Sequence, residues 1–169
     1  MKYLIPVNSS AAALAPIEHI VSANRHGTEV EAVLLNVQRP FNRRVSRFTS
    51  KKDRDALRAE RSRAIMAFAI ERLSRAGIPF RAMTEVGTPA ERIAAVAKAQ
   101  RVDEILMGVG RHPQWLAWLY PSTPRAVVAH TDVPVAVMAR GKVSRMERYL
   151  LWAGIAGAAG LAAYLLAAD

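Results

Sequence analysis

The sequence predicts an α/β fold: a five-stranded parallel sheet sandwiched by helices, followed by one C-terminal transmembrane helix. Three observations carry this reading. Short apolar runs alternate with longer helical patterns, the signature of βαβ units. The runs are near-continuous rather than alternating in polarity, as in strands covered on both faces. Residues 149–168 hold no charged side chain over 20 positions, about the length that crosses a hydrocarbon core. With 169 residues, 51% of them apolar, the chain can build one ordinary core plus an appendage.

The elements follow in order. Residues 2–7 form the first predicted strand, closed by the turn and helix-start signal Asn8-Ser9-Ser10. Residues 11–24 place Leu14, Ile17 and Val21 at helical spacing. Residues 30–37 are a β-branched and leucine run, the second strand. A basic, polar stretch over 38–52 reads as a loop. Residues 53–76 predict a long helix with Ile65, Phe68, Ala69 and Leu73 on its buried face and Gly77 as its stop. Residues 78–86 are the third strand. Thr88-Pro89-Ala90-Glu91 reads as a capping box with proline at the first helical position, and Ile93, Val96 and Ala97 follow as the buried face. Residues 103–109 are the fourth strand. Thr123-Pro124 opens a short helix to His130, and residues 133–139 are the fifth strand.

The net charge of +10 is unevenly placed. Between Arg39 and Arg63 ten basic residues face Asp53, Asp55 and Glu60. Between Arg140 and Arg148 four face Glu147, and the rest of the chain is neutral. The protein is therefore a neutral body with two basic patches. Arg39, Arg43, Arg44, Arg47, Lys51 and Lys52 are candidates for contact with anionic lipid headgroups or another polyanion. Nucleic acid is the competing partner, disfavoured because the stretch carries no reading motif.

Several function classes are excluded or left without support. There is no cysteine, hence no disulfide scaffold and no thiolate chemistry. His19, His26, His112 and His130 are scattered without metal-ligand spacing. Ser9, Ser10 and Ser122 sit where serine caps helices. Asp103 and Glu104 are adjacent on a strand and point to opposite faces. No nucleophile or acid–base pair is assembled, so a nonenzymatic module is expected.

The uncharged C-terminal run has Arg140, Lys142, Arg145 and Arg148 before it and Asp169 after it. The positive-inside bias orients such a helix with residues 1–140 in the cytoplasm, 141–149 as a basic juxtamembrane linker and 150–168 as the span. Its six large aliphatics, Leu150, Leu151, Ile155, Leu161, Leu165 and Leu166, supply only about −2 to −4 kcal/mol of insertion energy. Close packing against an integral membrane partner, through Ala153, Gly157 and Gly160, is expected to help hold it.

In parallel sheets ligands sit beyond the carboxyl ends of the strands. Those ends read Pro6-Val7-Asn8-Ser9, Asn36-Val37-Gln38, Val86-Gly87-Thr88 and Met107-Gly108-Val109-Gly110. The segments Leu-Ile-Pro-Val-Asn-Ser-Ser, Val-Leu-Leu-Asn-Val-Gln, Val-Gly-Thr-Pro-Ala-Glu-Arg-Ile and Val-Asp-Glu-Ile-Leu-Met-Gly, in this order and followed by Val-Pro-Val-Ala-Val-Met, resemble the universal stress protein family over residues 1–139. The resemblance implies a five-stranded parallel α/β sheet and a two-fold dimer through the last strand, with Val133, Val135 and Val137 at that edge.

Some members of that family bind ATP through a G-x2-G-x9-G-S/T pattern after the fourth strand. Here Gly108 and Ser122 match its ends, but Arg111 and Pro121 stand at the second and third glycine positions. The aspartate that ends the first strand in many nucleotide-binding members is Asn8. The resemblance thus implies a degenerate site at Pro6, Val7, Asn8, Val37, Gly108, Gly110, Arg111, Ser122 and Thr123, with no cofactor. The expected role is a membrane-tethered regulatory or accessory subunit of a membrane protein complex. A soluble stress protein that binds ATP or nucleic acid is the alternative.

Overall fold

The structure, a computed structural model, describes residues 1–40, 50–109 and 123–139. Among these are five strands: β1 (Lys2–Pro6), β2 (Glu31–Gln38), β3 (Phe80–Val86), β4 (Glu104–Val109) and β5 (Val135–Ala139). They alternate with a 3-10 turn (Ala11–Ala13) and the helices α1 (Leu14–Arg25), α2 (Lys51–Arg75), α3 (Pro89–Ala99) and α4 (Thr123–Val128). All strand pairs are parallel, in the order β3-β2-β1-β4-β5. The expected five-stranded parallel α/β fold is therefore present.

Two apolar layers hold the sheet. On one face Tyr3, Ile5, Val7, Ala32, Leu34 and Leu106 pack against Ile17, Ile20 and Val21 of α1 and Met66, Ala69 and Leu73 of α2. On the other, Leu4, Val33, Leu35, Ile105 and Met107 meet Ala90, Ile93, Val96 and Ala97 of α3 and Val127 of α4. Leu4, Ile5, Leu34, Leu35, Ile105 and Leu106 are fully buried, each contributing about 1.5–3 kcal/mol of transfer free energy. This two-sided burial is why β1, β2 and β4 read as continuous apolar runs rather than alternating ones.

The structure corrects several expectations. Helix α2 begins at Lys51, two residues before the predicted start, because Ser50 caps it: its Oγ accepts from the Asp53 N–H at 3.1 Å. Lys51 and Lys52 thus belong to the first helical turn and not to the basic loop. Phe68 lies outside the buried stripe at 43% exposure; Ser62, Met66, Ala69 and Leu73 form that stripe. The Thr88 capping box does not form, since Thr88 makes no side-chain cap and Pro89 alone marks the helix start. Helix α4 ends at Val128, short of His130. Val133 precedes β5 and is partly buried against the α3/α4 layer, as is Val135. Only Val137 of the expected edge residues is exposed, at 50%.

Candidate functional site: the crevice between β1 and β4

The strand order reverses between β1 and β4, and the carboxyl ends of these neighbours are where an α/β sheet opens a crevice. The β1–β4 ladder runs over Tyr3↔Glu104 and Leu4↔Ile105. Proline explains why it goes no further. Val7 N–H donates to the Leu35 carbonyl of β2 at 2.8 Å, so its neighbour Pro6 faces β4, where its ring supplies no donor.

Pro6, Val7 and Asn8 at the end of β1 and Gly108 near the end of β4 border this opening, and Val37 lies at the adjacent end of β2. Val7 is buried and Asn8 exposed. Val37 packs against the α3/α4 layer, on the sheet face opposite Val7. Thr123 is the exposed first residue of α4. Arg39, Lys51 and Lys52 are exposed at the same edge, at the end of β2 and the start of α2. Gly110, Arg111, Ser122, Arg43, Arg44, Arg47, the aromatic stretch around Trp115 and Trp118, and the C-terminal residues Ala153, Gly157 and Gly160 lie outside the described residues.

The chemistry of the crevice is set by three local arrangements. First, the Asn8 side chain closes the turn after β1. Its Oδ1 accepts from the Ser10 N–H at 3.0 Å and from the Ser10 hydroxyl at 2.6 Å, and Ser10 Oγ in turn accepts from the Ala12 N–H at 3.3 Å. Second, the 3-10 turn lies directly on Gly108. A Cβ there would collide with the Ala12 carbonyl, so glycine is required for close backbone approach. The atoms that such a Cβ would meet are backbone, the Ala12 carbonyl and then the Ala13 nitrogen, so the fit leaves no room for a side chain.

Third, a buried amide ties the strand ends together. Asn36, 2% exposed, donates from Nδ2 to the Val7 carbonyl at 2.8 Å. Gln38 Nε2 donates to Asn36 Oδ1 and to the Arg58 carbonyl of α2, both at 3.0 Å. Ser62 of α2 and Thr84 of β3 share a 2.5 Å hydroxyl bond on the same sheet face. Sequence reasoning singled out Val37 and passed over Asn36 and Gln38. The available signal was the amide inside the apolar run Val-Leu-Leu-Asn-Val, since a buried polar group must find a partner.

Two further features bear on charge. Lys51 and Lys52 stand at the positive end of the α2 dipole, where a cation is unfavourable by about 0.3–1 kcal/mol. At the opposite edge of the sheet, burial pushes the Tyr3 phenol upward from its ordinary pKa, reinforced by the charges of Glu104 and Asp103. No cluster of three metal-ligating side chains exists among the described residues. Among the same residues no helix is long and apolar enough to cross a membrane; the expected span at 150–168 lies outside them.

The model of the universal stress protein family matches residues 1–139. The chain belongs to the universal stress protein family. A hypothetical protein solved as a structural-genomics test case is 24% identical over 83% of this chain and 96% of its own, with a TM-score of 0.65. A universal stress protein family protein from Arabidopsis thaliana with AMP bound is 17% identical over 84% of this chain and 93% of its own, at a TM-score of 0.61. The universal stress protein from Archaeoglobus fulgidus in complex with dAMP is 16% identical over 81% and 96%, at 0.57. At these identities the likeness is one of fold. A search of the curated proteins matches none of them. In this universal stress domain the Ala12–Gly108 contact and the Asn8–Ser10 bonds occupy the crevice border.

Proposed function

We propose that this universal stress domain is noncatalytic and does not use nucleotide as a cofactor. It serves as a regulatory or accessory subunit of a membrane protein complex, held at the cytoplasmic face of the inner membrane by residues 150–168. The observation that carries the nucleotide part is Asn8 at the end of β1, whose amide oxygen is engaged by the Ser10 N–H and hydroxyl where the nucleotide-binding pattern has an aspartate. The sequence adds Arg111 and Pro121 where the binding pattern has glycines. The membrane part rests on the uncharged run after four basic residues. The exposed edge strand β5 is the proposed homodimer contact.

The test has two arms. Millimolar ATP or AMP should leave the melting temperature unchanged, because a micromolar ligand at a thousandfold excess would add about 4 kcal/mol. Cell fractionation should recover the full chain with membranes, released by mild detergent together with an integral membrane protein. The second reading, adenine nucleotide binding, is favoured by the relatives that carry AMP and dAMP. A nucleotide-induced shift of several degrees would establish it. The natural converse is Asn8→Asp with Arg111→Gly and Pro121→Gly, which should create a nucleotide response absent from the parent chain.

A further inference from the structure

The sheet has two edge strands, β3 and β5, and β3 carries a charge pattern that β5 lacks. Its bonding direction is fixed by its neighbour. The Ala32 N–H donates to the Pro79 carbonyl and the Gly87 N–H to the Gln38 carbonyl, so the odd-numbered residues from 79 to 87 bond β2. By alternation the N–H and C=O groups of Phe80, Ala82, Thr84 and Val86 point out of the sheet edge, and among the described residues no strand pairs with them. Arg81, Met83 and Glu85 are in register with Val33, Leu35 and Val37 and share their sheet face, under α3 and α4. Arg81 is exposed and Glu85 half-buried, and neither has an ion-pair partner among the described residues. Four residues apart on one strand, they stand ~13 Å from each other and cannot pair within a chain.

Between chains they can. A second β3 laid antiparallel, with Met83 opposite Met83, puts Arg81 opposite Glu85 of the second copy and Glu85 opposite its Arg81. The same register sets Phe80 opposite Val86 and Ala82 opposite Thr84, the residues whose backbone groups point outward and can exchange hydrogen bonds. A register shifted by four residues brings Arg81 against Arg81 or Glu85 against Glu85, and one shifted by two leaves both charges unpaired. The helix above this edge is compatible. Helix α2 lies over β2 and β3, tied by Gln38 to the Arg58 carbonyl and by Ser62 to Thr84. With strands about 4.8 Å apart, a two-fold axis at the β3 edge brings a second α2 to about 10 Å, an ordinary helix-packing distance. One flank of α2 faces α1, where Arg72 pairs with Glu18; on the opposite flank stand Ala59, Arg63 and Ala67. Ala59 and Ala67 are small and exposed, and Glu60 offers Arg63 of the second copy a counter-charge.

We infer that the β3 edge is a second self-association surface. Two copies of this chain pair β3 with β3 antiparallel about a two-fold axis at Met83, held in register by reciprocal Arg81–Glu85 pairs. Edge strands often carry charge that blocks pairing, but that device works with one sign, which repels its own copy; opposite signs placed symmetrically about Met83 attract it. This goes beyond the β5 contact proposed above. The two strands lie at opposite sides of the sheet, so both contacts can hold at once, β5 making the dimer and β3 joining dimers. One strand edge and one helix flank make the weaker contact, populated as protein concentration rises.

The test uses the full chain in detergent, whose lack of cysteine permits single thiols. Every thiol variant also carries Val137→Lys, which breaks the β5 contact. Met83→Cys sets two thiols opposite each other in a non-hydrogen-bonded pair, with Cα atoms about 4.5 Å apart and within disulfide reach. Ala82→Cys leaves them about 9 Å apart, beyond it. At high protein concentration with a mild thiol oxidant, Met83→Cys should yield severalfold more linked dimer than Ala82→Cys. Arg81→Glu or Glu85→Arg, each added to Met83→Cys, should lower the yield to the Ala82→Cys level, because like charges then face each other. Mixing these two chains should restore it as a hybrid dimer, identified by mass, since the charges of each complement those of the other; the recovery also shows that both are folded. Equal linking at positions 82 and 83, single charge variants that link like their parent, or a mixture that forms no hybrid overturns the proposal. Sedimentation of the cysteine-free chain with and without Val137→Lys reads the β5 contact by itself, so failure of one contact is distinguishable from failure of the other.

Discussion

The carbonyl of Ala12 rests against Gly108, so the turn that follows the first strand seals the end of the fourth. A side chain at position 108 has no room, because the obstacle is backbone and not the far end of a flexible residue. Gly108→Ala should destabilise the domain by about 2 kcal/mol, the scale of overpacking a rigid site. Thermal unfolding should report a melting point lower by roughly 6–10 °C. An unchanged melting point would mean that the 3-10 turn does not sit on β4.

Asn36 is the buried link between β1, β2 and α2. Asn36→Ala leaves the Val7 carbonyl without its donor and removes the acceptor for Gln38. A loss of about 1–3 kcal/mol is expected in denaturant titration, against a few tenths for an exposed control such as Thr28→Ala. A cost at the level of the control would show that the amide is replaceable by water.

Tyr3 gives a pH-dependent expectation. Its phenol titrates above its ordinary value in the folded state, through burial first and then the charges of Glu104 and Asp103. The folded state therefore holds this proton more tightly than the unfolded chain. That contribution is fully present below about pH 10 and is lost as pH rises through the folded value. Tyr3→Phe should flatten the decline of stability above pH 10. Parallel alkaline unfolding curves for both proteins would assign the decline to other groups.

The edge strand β5 carries one exposed large side chain, Val137. If two chains meet there, Val137→Lys should shift full-length protein in detergent from dimer to monomer by sedimentation, with a melting change below about 1 kcal/mol at low concentration. A parent chain that is monomeric throughout would remove this edge as a self-contact.

What the sequence could determine alone was what depends on neighbours along the chain. Apolar runs of four to six residues, helical spacing and the punctuation of Gly77 and Pro89 sufficed for the order of elements and the parallel class. The same local order carries the family resemblance over residues 1–139. Boundaries moved where a cap decided them, as Ser50 did for α2. Phe68 was misplaced because a stripe read from periodicity is broad, and the sheet selects which part of it is covered.

Only the tertiary structure decided what depends on contacts between distant positions. Gly108 read from the sequence as one end of a degenerate nucleotide pattern; in the fold its lack of a side chain accommodates the Ala12 backbone. Asn36 read only as part of the carboxyl end of the second strand; in the fold its amide meets the Val7 carbonyl. Arg39, Lys51 and Lys52 read as part of one basic stretch; the parallel sheet places them at the edge from which the C-terminal chain departs. Local preference specifies which way the backbone runs at each position. Which distant groups then meet is settled by burying both faces of one sheet at once, and that energy belongs to no single segment.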